Sequence, residues 1–303
     1  MSNLADNNTN VLITGSSGLI GSALIPLLEA HGYAIHRLTR SPNPSSPYWN
    51  IETREIHLNG APNPDIIIHL AGENIAKARW SKSVKQKITN SRLQSTKILV
   101  DFINNNPTPA KLFICASAIG FYGNRGQQPV DEDSLKGNDF VSELADQWEQ
   151  ISNQVKHPNT RIVNLRTGIV LSKKDGALAK MLPPFKMGLG GRIGSGKQIM
   201  SWIDLEDELK AILFIMQQPQ LTGPVNLVSP HPIDNQTFSI ILASTLRRPC
   251  IFPFPALMVK LLFAQMGEEL LLSSTNVRPT KLLKAGFKFK YELLEDSLNH
   301  QLR

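Results

Sequence analysis

Short unbroken apolar runs alternate along this chain with longer stretches in which apolar residues return every three or four positions. That alternation predicts strands crossed by helices. Residues 11–14 read as a first strand and 19–31 as a helix stopped by Gly32. Residues 34–39 read as a second strand and 54–58 as a short third. The run 65–70 (DIIIHL) is apolar almost throughout, as a parallel strand covered on both faces should be. Residues 83–105, with Val84, Ile88, Ile98, Leu99, Phe102 and Ile103, predict a long helix. Strands at 111–117, 161–170 and 224–228 and helices at 139–155 and 209–216 complete the series. The fold class expected from this order is α/β, a Rossmann-type doubly wound parallel sheet.

The rhythm changes between about 172 and 198, where Pro183, Pro184 and the glycine-rich 188–196 interrupt it. After Pro230 the chain is proline-punctuated and largely helical. Residues 251–272 are apolar through much of their length, but Pro253, Pro255, Lys260 and two glutamates there predict a core helix rather than a membrane span. The expected division is a Rossmann domain of residues 1–171 plus about 199–229. A smaller, mainly helical lobe of about 172–198 and 230–303 would then cover the carboxyl edge of the sheet as a substrate lid. No run reaches the ~18 apolar residues of a spanning helix. The polar start, residues 1–10, lacks the pattern of a secretory leader. A cytoplasmic chain without a membrane partner is expected.

Composition changes little in this picture. Hydrophobic content of 41% with 19% charged residues is ordinary for a globular protein. The net charge of +7 comes from mostly dispersed cations, so it argues poorly for nucleic acid. One stretch, 77–97, holds Lys77, Arg79, Lys82, Lys85, Lys87, Arg92 and Lys97 and no acid; it is either a solvated helix face or an electropositive wall for an anionic ligand. The two cysteines, Cys115 and Cys250, make neither a disulfide framework nor a zinc site, and the histidines are scattered, so no metal is expected.

Candidate chemistry begins directly after the first strand, with T-G-S-S-G-L-I-G. Gly15 permits a tight turn, Gly18 lets backbone approach a pyrophosphate, and Gly21 lets the helix lie close on the strand. The helix start then offers its free N–H groups to phosphate. An NAD site usually carries an acid about 20 residues on, whereas an arginine suits the 2′-phosphate of NADP. Here the second strand ends in L-T-R-S, with Arg40 in place and no acid nearby. A guanidinium can hold a phosphate by two charge-assisted bonds. NADP(H) is therefore the expected cofactor. Its expected contacts are Gly15, Ser17, Gly18, Leu19, Ile20 and Gly21 in the turn, then Arg40 and Ser41.

With these residues in place the chain resembles the extended short-chain dehydrogenase/reductase superfamily, whose turn spacing is G-x-x-G-x-x-G. HLAG at 69–72, Ser117 at a strand end and the pair Tyr122–Gly123 follow in that family's order. The resemblance adds Leu70, Ala71, Gly72 and Glu73 to the expected cofactor contacts. More narrowly the chain looks like the atypical "epimerase family" branch, named by analogy with nucleoside-diphosphate-sugar epimerases. Its marks are AGENIA (71–76), RW (79–80), SR (91–92), SAIGFYG (117–123), GLGGRIGSGKQ (188–198), SWID (201–204) and RPTKLLKAGFKF (278–289). They run through nearly the whole chain.

The superfamily's reaction needs a tyrosine followed four residues later by a lysine, which lowers the tyrosine's pKa for proton transfer. In this chain those places fall near Phe140 and Leu144, and the family's helix asparagine falls at Arg92. The residues four beyond Tyr33, Tyr48, Tyr122 and Tyr291 are Arg37, Glu52, Gly126 and Glu295, so the pair occurs nowhere. Ser117 and Tyr122 are the remaining catalytic candidates: Ser117 to bind a substrate oxygen or simply to satisfy backbone, Tyr122 to pass a proton or to pack with its hydroxyl at the surface. Trp80, Lys85, Arg92 and Trp202 are candidates to grip an anionic or planar ligand. Residues 191–197 mimic a phosphate-binding P-loop, but Gln198 replaces its final Ser or Thr and no strand precedes it, so a lid loop is expected. Asp204 and Asp207 read as helix caps. Two functions follow: an NADP(H)-dependent oxidoreductase or epimerase-like protein with an unknown small substrate, or a non-catalytic NADP(H)-binding sensor. The resemblance also implies a homodimer through the helices at 83–105 and 139–155, and no nucleic-acid partner is expected.

Overall fold

The computed structural model describes residues 9–303, and most of the polar start read above (residues 1–8) lies outside the described residues. The chain opens with β1 (Asn10–Thr14), α1 (Leu19–Ala30) and β2 (Ala34–Arg37). A hairpin follows, β3 (Tyr48–Asn50) and β4 (Glu55–His57), then β5 (Ile66–His69), α2 (Lys82–Asn105) and β6 (Leu112–Ala118). A 3-10 turn at Ile119–Tyr122 and a short β7 (Pro129–Val130) lead to α3 (Phe140–Ser152), β8 (Arg161–Thr167) and β9 (Ile169–Leu171). Next come α4 (Gly176–Lys186), β10 (Ile199–Met200), β11 (Trp202–Asp204), α5 (Leu205–Gln217) and β12 (Gly223–Leu227). The last part holds β13 (Ile233–Asp234), α6 (Asn235–Thr245), α7 (Ala256–Phe263), α8 (Gln265–Leu270), β14 (Asn276–Val277), α9 (Thr280–Lys284) and α10 (Leu294–Leu302).

Six strands make the parallel sheet, in the order β12-β8-β6-β5-β1-β2. Ile66 and Ile68 of β5 pack with Leu24 and Leu28 of α1, while Ile67 faces Leu99 of α2. Both faces of that strand are covered, which is why its sequence is an unbroken apolar run. β1 has β2 on one side and β5 on the other, so the strand order reverses there. That is the switch point at which open α/β sheets bind ligands beyond their carboxyl ends.

The third strand expected at 54–58 is not in the sheet. Tyr48–Asn50 and Glu55–His57 pair antiparallel as a separate hairpin, whose turn is closed by the Asn50 side chain accepting from the amides of Glu52 and Thr53. The long strand expected at 161–170 breaks at Gly168. A Cβ there would stand 2.7 Å from the Ser201 carbonyl oxygen, and β9 leaves the sheet to pair with β11. Helix α4 was hidden by Pro183 and Pro184, which read as breakers. It forms because Leu178, Leu182 and Phe185 pack on Phe238 and Leu242 of α6 and Leu298 of α10, in a core separate from those on the sheet.

Two further expectations are corrected. Residues 251–272 are no single core helix: Ala264, at φ 49, divides α7 from α8, and of α7 only Val259 is buried. Asp204 does cap α5, accepting from the amide of Glu206 at 2.8 Å, but Asp207 does not cap. Its two oxygens accept from the amides of Lys290 and Tyr291, tying the C-terminal segment to the sheet domain. No helix among the described residues is long and apolar enough to cross a membrane.

Candidate cofactor cleft and reaction centre

Gly15 turns the chain at φ +70, and a Cβ on it would strike the Leu70 carbonyl carbon at 2.7 Å. Gly21 sits on that same turn, and a Cβ on it would overlap the Gly15 carbonyl oxygen. Both glycines are thus required by the protein's own backbone. Gly18 is different: a Cβ there meets only the Gly15 oxygen, at an ordinary 3.4 Å. Nothing in the chain forbids a side chain at Gly18, so the bare backbone fits a close-lying ligand. Gly18 is also the N-cap of α1 and supplies no side-chain oxygen to its first amides. The other helices of eleven or more described residues, α2 to α6, are all capped by Ser or Asp side chains. An exposed, uncapped helix start keeps its donors available for an anion. Ser17 is exposed beside it, and Leu19 and Ile20 begin α1.

The second turn is built against the first. Thr14 Oγ1 lies 2.7 Å from His69 Nδ1 and accepts from the Ala71 amide at 3.3 Å. His69 is fully buried, and its other nitrogen lies 3.1 Å from both Thr96 Oγ1 and Ser95 Oγ. Burial, reinforced by the nearby Arg92 cation, lowers its pKa to about 3, so it acts as a neutral bracket and never as an acid. Leu70, Ala71, Gly72 and Glu73 then line the switch point, held from α2: the Glu73 amide donates to Ser91 Oγ, and Arg92 Nη1 donates to the Glu73 carbonyl, both at 3.0 Å. Gly72 lets the guanidinium approach, since a Cβ there would lie 3.3 Å from Arg92 Cζ. Arg92 is mostly buried and stacks 5.1 Å from the Trp148 ring. Arg40 and Ser41 are exposed past β2, and Arg40 lines a hollow of about 240 Å³ together with Tyr48, Trp49, Asn50, Ile51 and one acid, Glu52. Arg40, the glycine turn, the Leu70–Glu73 turn and Ser117 therefore follow one another along neighbouring strand ends, β2, β1, β5 and β6. At ~4.8 Å per strand that row is about 14 Å long, which suits an extended dinucleotide.

At the carboxyl ends of β6 and β8 the side chains pair with one another rather than with backbone. Ser117 Oγ donates not to backbone but to Glu149 Oε1, at 2.6 Å. Glu149 is held by both arms of Arg166, each at 2.8 Å. Arg166 Nη1 donates to the Tyr122 hydroxyl at 3.0 Å, and that hydroxyl donates to Asn226 Oδ1 at 2.7 Å. Tyr122 is fully buried, so its hydroxyl is not at the surface as expected. Burial pushes its pKa up to about 12, which makes the phenol a weaker acid than a free tyrosine. Sequence reasoning missed Glu149 and Arg166. The one local hint was a charged residue inside the apolar run of β8.

Phe140 and Leu144 lie on one face of α3, in a cluster with Trp80, Ile88, Val141 and Met266 of α8. The Phe140 ring stands edge-on to Trp80 at 5.0 Å, with Lys85 Nζ 5.2 Å from its centre. Trp80 is itself buried and donates to the Ile75 carbonyl, Lys85 donates to Gln265, and Trp202 is fully buried and donates to the His231 carbonyl. These three are packing residues, and of the four proposed grips only Arg92 stays at the cleft. Part of the cationic stretch is paired at the surface, Lys77 with Glu73 and Lys97 with Asp101, while Arg79, Lys82 and Lys87 are exposed. The P-loop look-alike is a plain glycine-rich loop, with Gly191 pressed on the backbone of Phe252.

Comparison with known proteins agrees with this architecture. Residues 11–228 match the NAD dependent epimerase/dehydratase family, and residues 254–301 match a domain of unknown function, DUF1731. The chain is 38% identical over 295 residues to an epimerase family protein of Mycobacterium tuberculosis, covering 97% of each. It is 33% identical over 291 residues to the human epimerase family protein SDR39U1, covering 95% of this chain and 98% of the human one. The crystal structure of that human protein (isoform 2) with NADPH aligns at a TM-score of 0.90 and 32% identity, over 96% of this chain and 98% of the other. A nucleoside-diphosphate sugar epimerase from Corynebacterium glutamicum aligns at 0.79 and 30% identity, over 97% of this chain and 58% of that one. By a family match over most of its length and by relatives a third identical from end to end, the chain belongs to the NAD dependent epimerase/dehydratase family.

Proposed function

We propose that the chain is an NADP(H)-dependent oxidoreductase of the epimerase-like kind, acting on a small carbonyl or hydroxyl compound. NADPH is favoured over NADH by Arg40 at the end of β2, and by the NADPH in the crystal structure of the human relative. The bound cofactor would supply or accept the hydride. The observation that carries an enzymatic reading is the Ser117–Glu149–Arg166 chain at the carboxyl ends of β6 and β8. Burying an arginine–carboxylate pair is rarely the cheapest way to stabilise a core. Here it fixes one hydroxyl at a strand end beside the switch point. Ser117, whose O–H is already donated in a hydrogen bond to Glu149, keeps lone pairs with which to accept a hydrogen bond from a substrate hydroxyl. With Tyr122 sequestered, a bound water takes the place of the side-chain proton donor. The lobe of about 172–198 and 230–303 would close over the substrate, and pairing of two chains through α2 and α3 belongs to the same proposal. No nucleic-acid partner is part of it.

A second reading, an NADP(H)-binding sensor without turnover, is favoured by the apolar packing of Phe140 and Leu144 where a proton relay would stand. One experiment separates the two. Purified protein loaded with NADPH is offered a broad set of aldehydes, ketones and nucleotide sugars while absorbance at the nicotinamide band is followed. Turnover that Ser117→Ala removes, at unchanged NADPH affinity, supports the enzyme. NADPH that stays bound and unreacted with every compound overturns it in favour of the sensor.

A further inference from the structure

The two stretches that build much of the smaller lobe have an unusual charge balance. Residues 176–203 contain Lys180, Lys186, Arg192 and Lys197, residues 235–267 contain Arg247, Arg248 and Lys260, and neither contains an Asp or a Glu. Removing these seven from the chain's 32 Lys and Arg leaves 25, which balance its 25 Asp and Glu. These two stretches, bounded by Asp175, Asp204, Asp234 and Glu268, are therefore rich in cations relative to the rest of the chain. They also run side by side: the Phe252 amide donates to the Gly190 carbonyl, and the Phe254 amide to the Arg192 carbonyl at 2.8 Å. The same place shows apolar side chains to solvent. Leu189, Ile251, Phe252, Leu257, Leu261 and Leu262 are each half or more exposed. A surface helix normally turns its apolar stripe inward, yet α7 buries Val259 alone. Exposed apolar clusters of this kind mark an interaction surface.

We propose that this face docks on an anionic lipid bilayer. Leucine, isoleucine and phenylalanine side chains on a short helix and its adjoining turn are suited to enter the headgroup region, while cations beside them meet lipid phosphates. Lys186, Arg247 and Arg248 are exposed at the rim, whereas Lys260 pairs with Glu268 at 3.0 Å and Arg192 with Gln236. A second copy of the chain is a poor occupant, because symmetric pairing through this face would set like charges against each other. The expectation of no membrane partner rested on the absence of a spanning segment, and a peripheral contact needs none. α7 leads directly into α8, whose Met266 packs with Trp80 and Val141. The docked face thus adjoins the reaction centre rather than the far end of the sheet. The proposal stands whether or not the protein turns over a substrate.

The test is co-sedimentation of the full chain with phosphatidylcholine vesicles, and with vesicles in which about a third of the lipid is phosphatidylglycerol, at ~0.1 M salt. The wild type should partition onto the anionic vesicles ~10-fold or more better than onto the neutral ones. Leu257→Asp with Leu261→Asp, and separately Arg247→Glu with Arg248→Glu, should each abolish that preference while leaving the melting temperature and NADPH binding unchanged. Wild-type protein that stays in solution with both vesicle types overturns the proposal. So does an aspartate variant that binds like the wild type, which would reduce the effect to bulk charge. A wild-type dimer that the aspartate variant dissolves, with no vesicle capture, overturns it in favour of a contact between copies.

Discussion

The glycine turn and the Ser117 region lie two strands apart on one sheet edge, and they account for their polar groups in opposite ways. At the turn, the first amides of α1 have no side-chain cap and Gly18 leaves open space in front of them. At Ser117, hydroxyl, carboxylate, guanidinium and phenol satisfy one another inside the protein. Buried polar groups that find no partner are costly, so interiors close their networks. Donors left open at a surface cost little and remain available. The turn is thus prepared for a ligand from outside, whereas the Ser117 network is first a piece of internal structure and offers a ligand only what Ser117 has left over.

Breaking each region should expose that difference. Arg166→Met removes the cation from a buried carboxylate and should cost about 3–5 kcal/mol of stability by urea unfolding. NADPH affinity of the protein that remains folded should stay within a few-fold of wild type; a large loss of affinity with little loss of stability would show the network to be part of the ligand site. Gly18→Val should do the reverse. Its Cβ meets no protein backbone closer than 3.4 Å, so the melting temperature should hold, while NADPH affinity falls on the order of 100-fold, about 2.7 kcal/mol. Normal NADPH titration of that variant would place the phosphates elsewhere. Arg40→Ala is a smaller cut at the other end of the same cleft. It should lose about 1.5–3 kcal/mol of NADPH affinity, the scale of a charged hydrogen bond, and leave NADH unchanged. Equal titration curves for the two cofactors in the wild type would remove the case for a 2′-phosphate site at Arg40.

The same contrast explains what the sequence disclosed. Gly15 and Gly21 are dictated by contacts within a short turn and its neighbouring strand, so their spacing is visible in one short window. Glu149 and Arg166 act on Ser117 from 32 and 49 residues away, and neither periodicity nor spacing encodes that meeting. The strand expected in the sheet at 54–58 pairs instead in a separate hairpin, because three alternating residues look alike in both settings. α7 was mistaken for a core helix for a related reason: apolar content announces that a helix will bury something, not that the burial happens within the same chain. α4 failed in the other direction, since Pro183 and Pro184 outweigh a helical pattern until the packing of Leu178, Leu182 and Phe185 is known.

The last expected effect, small near pH 5 and growing only as the pH rises, tests an exception to the closed interior. Glu208, in the first turn of α5, is fully buried, with Oε1 accepting from Thr167 Oγ1 at 2.9 Å. Its Oε2 has no hydrogen-bond partner among the described residues. Burial, only partly offset by the Thr167 hydrogen bond, raises its pKa from 4.5 to about 8. At neutral pH the folded protein therefore holds a proton that the unfolded chain has released. Since the folded state binds the extra proton, stability is fully present below about pH 4.5, falls as pH rises towards 8, and is level above that. The slope contributed by one such group is at most about 1.4 kcal/mol per pH unit. Glu208→Gln keeps the shape and cannot ionise. Near pH 5 it should change stability by less than about 1 kcal/mol, because it replaces a neutral acid by a neutral amide. Between pH 5 and 8 the urea midpoint of the variant should stay higher relative to wild type with each step, the difference between the two curves isolating this carboxyl from every other titrating group. Parallel curves would mean that Glu208 is already ionised in the folded protein. An ionised Glu208 would require water or a cation at Oε2, and this interior would then be open where it looks closed.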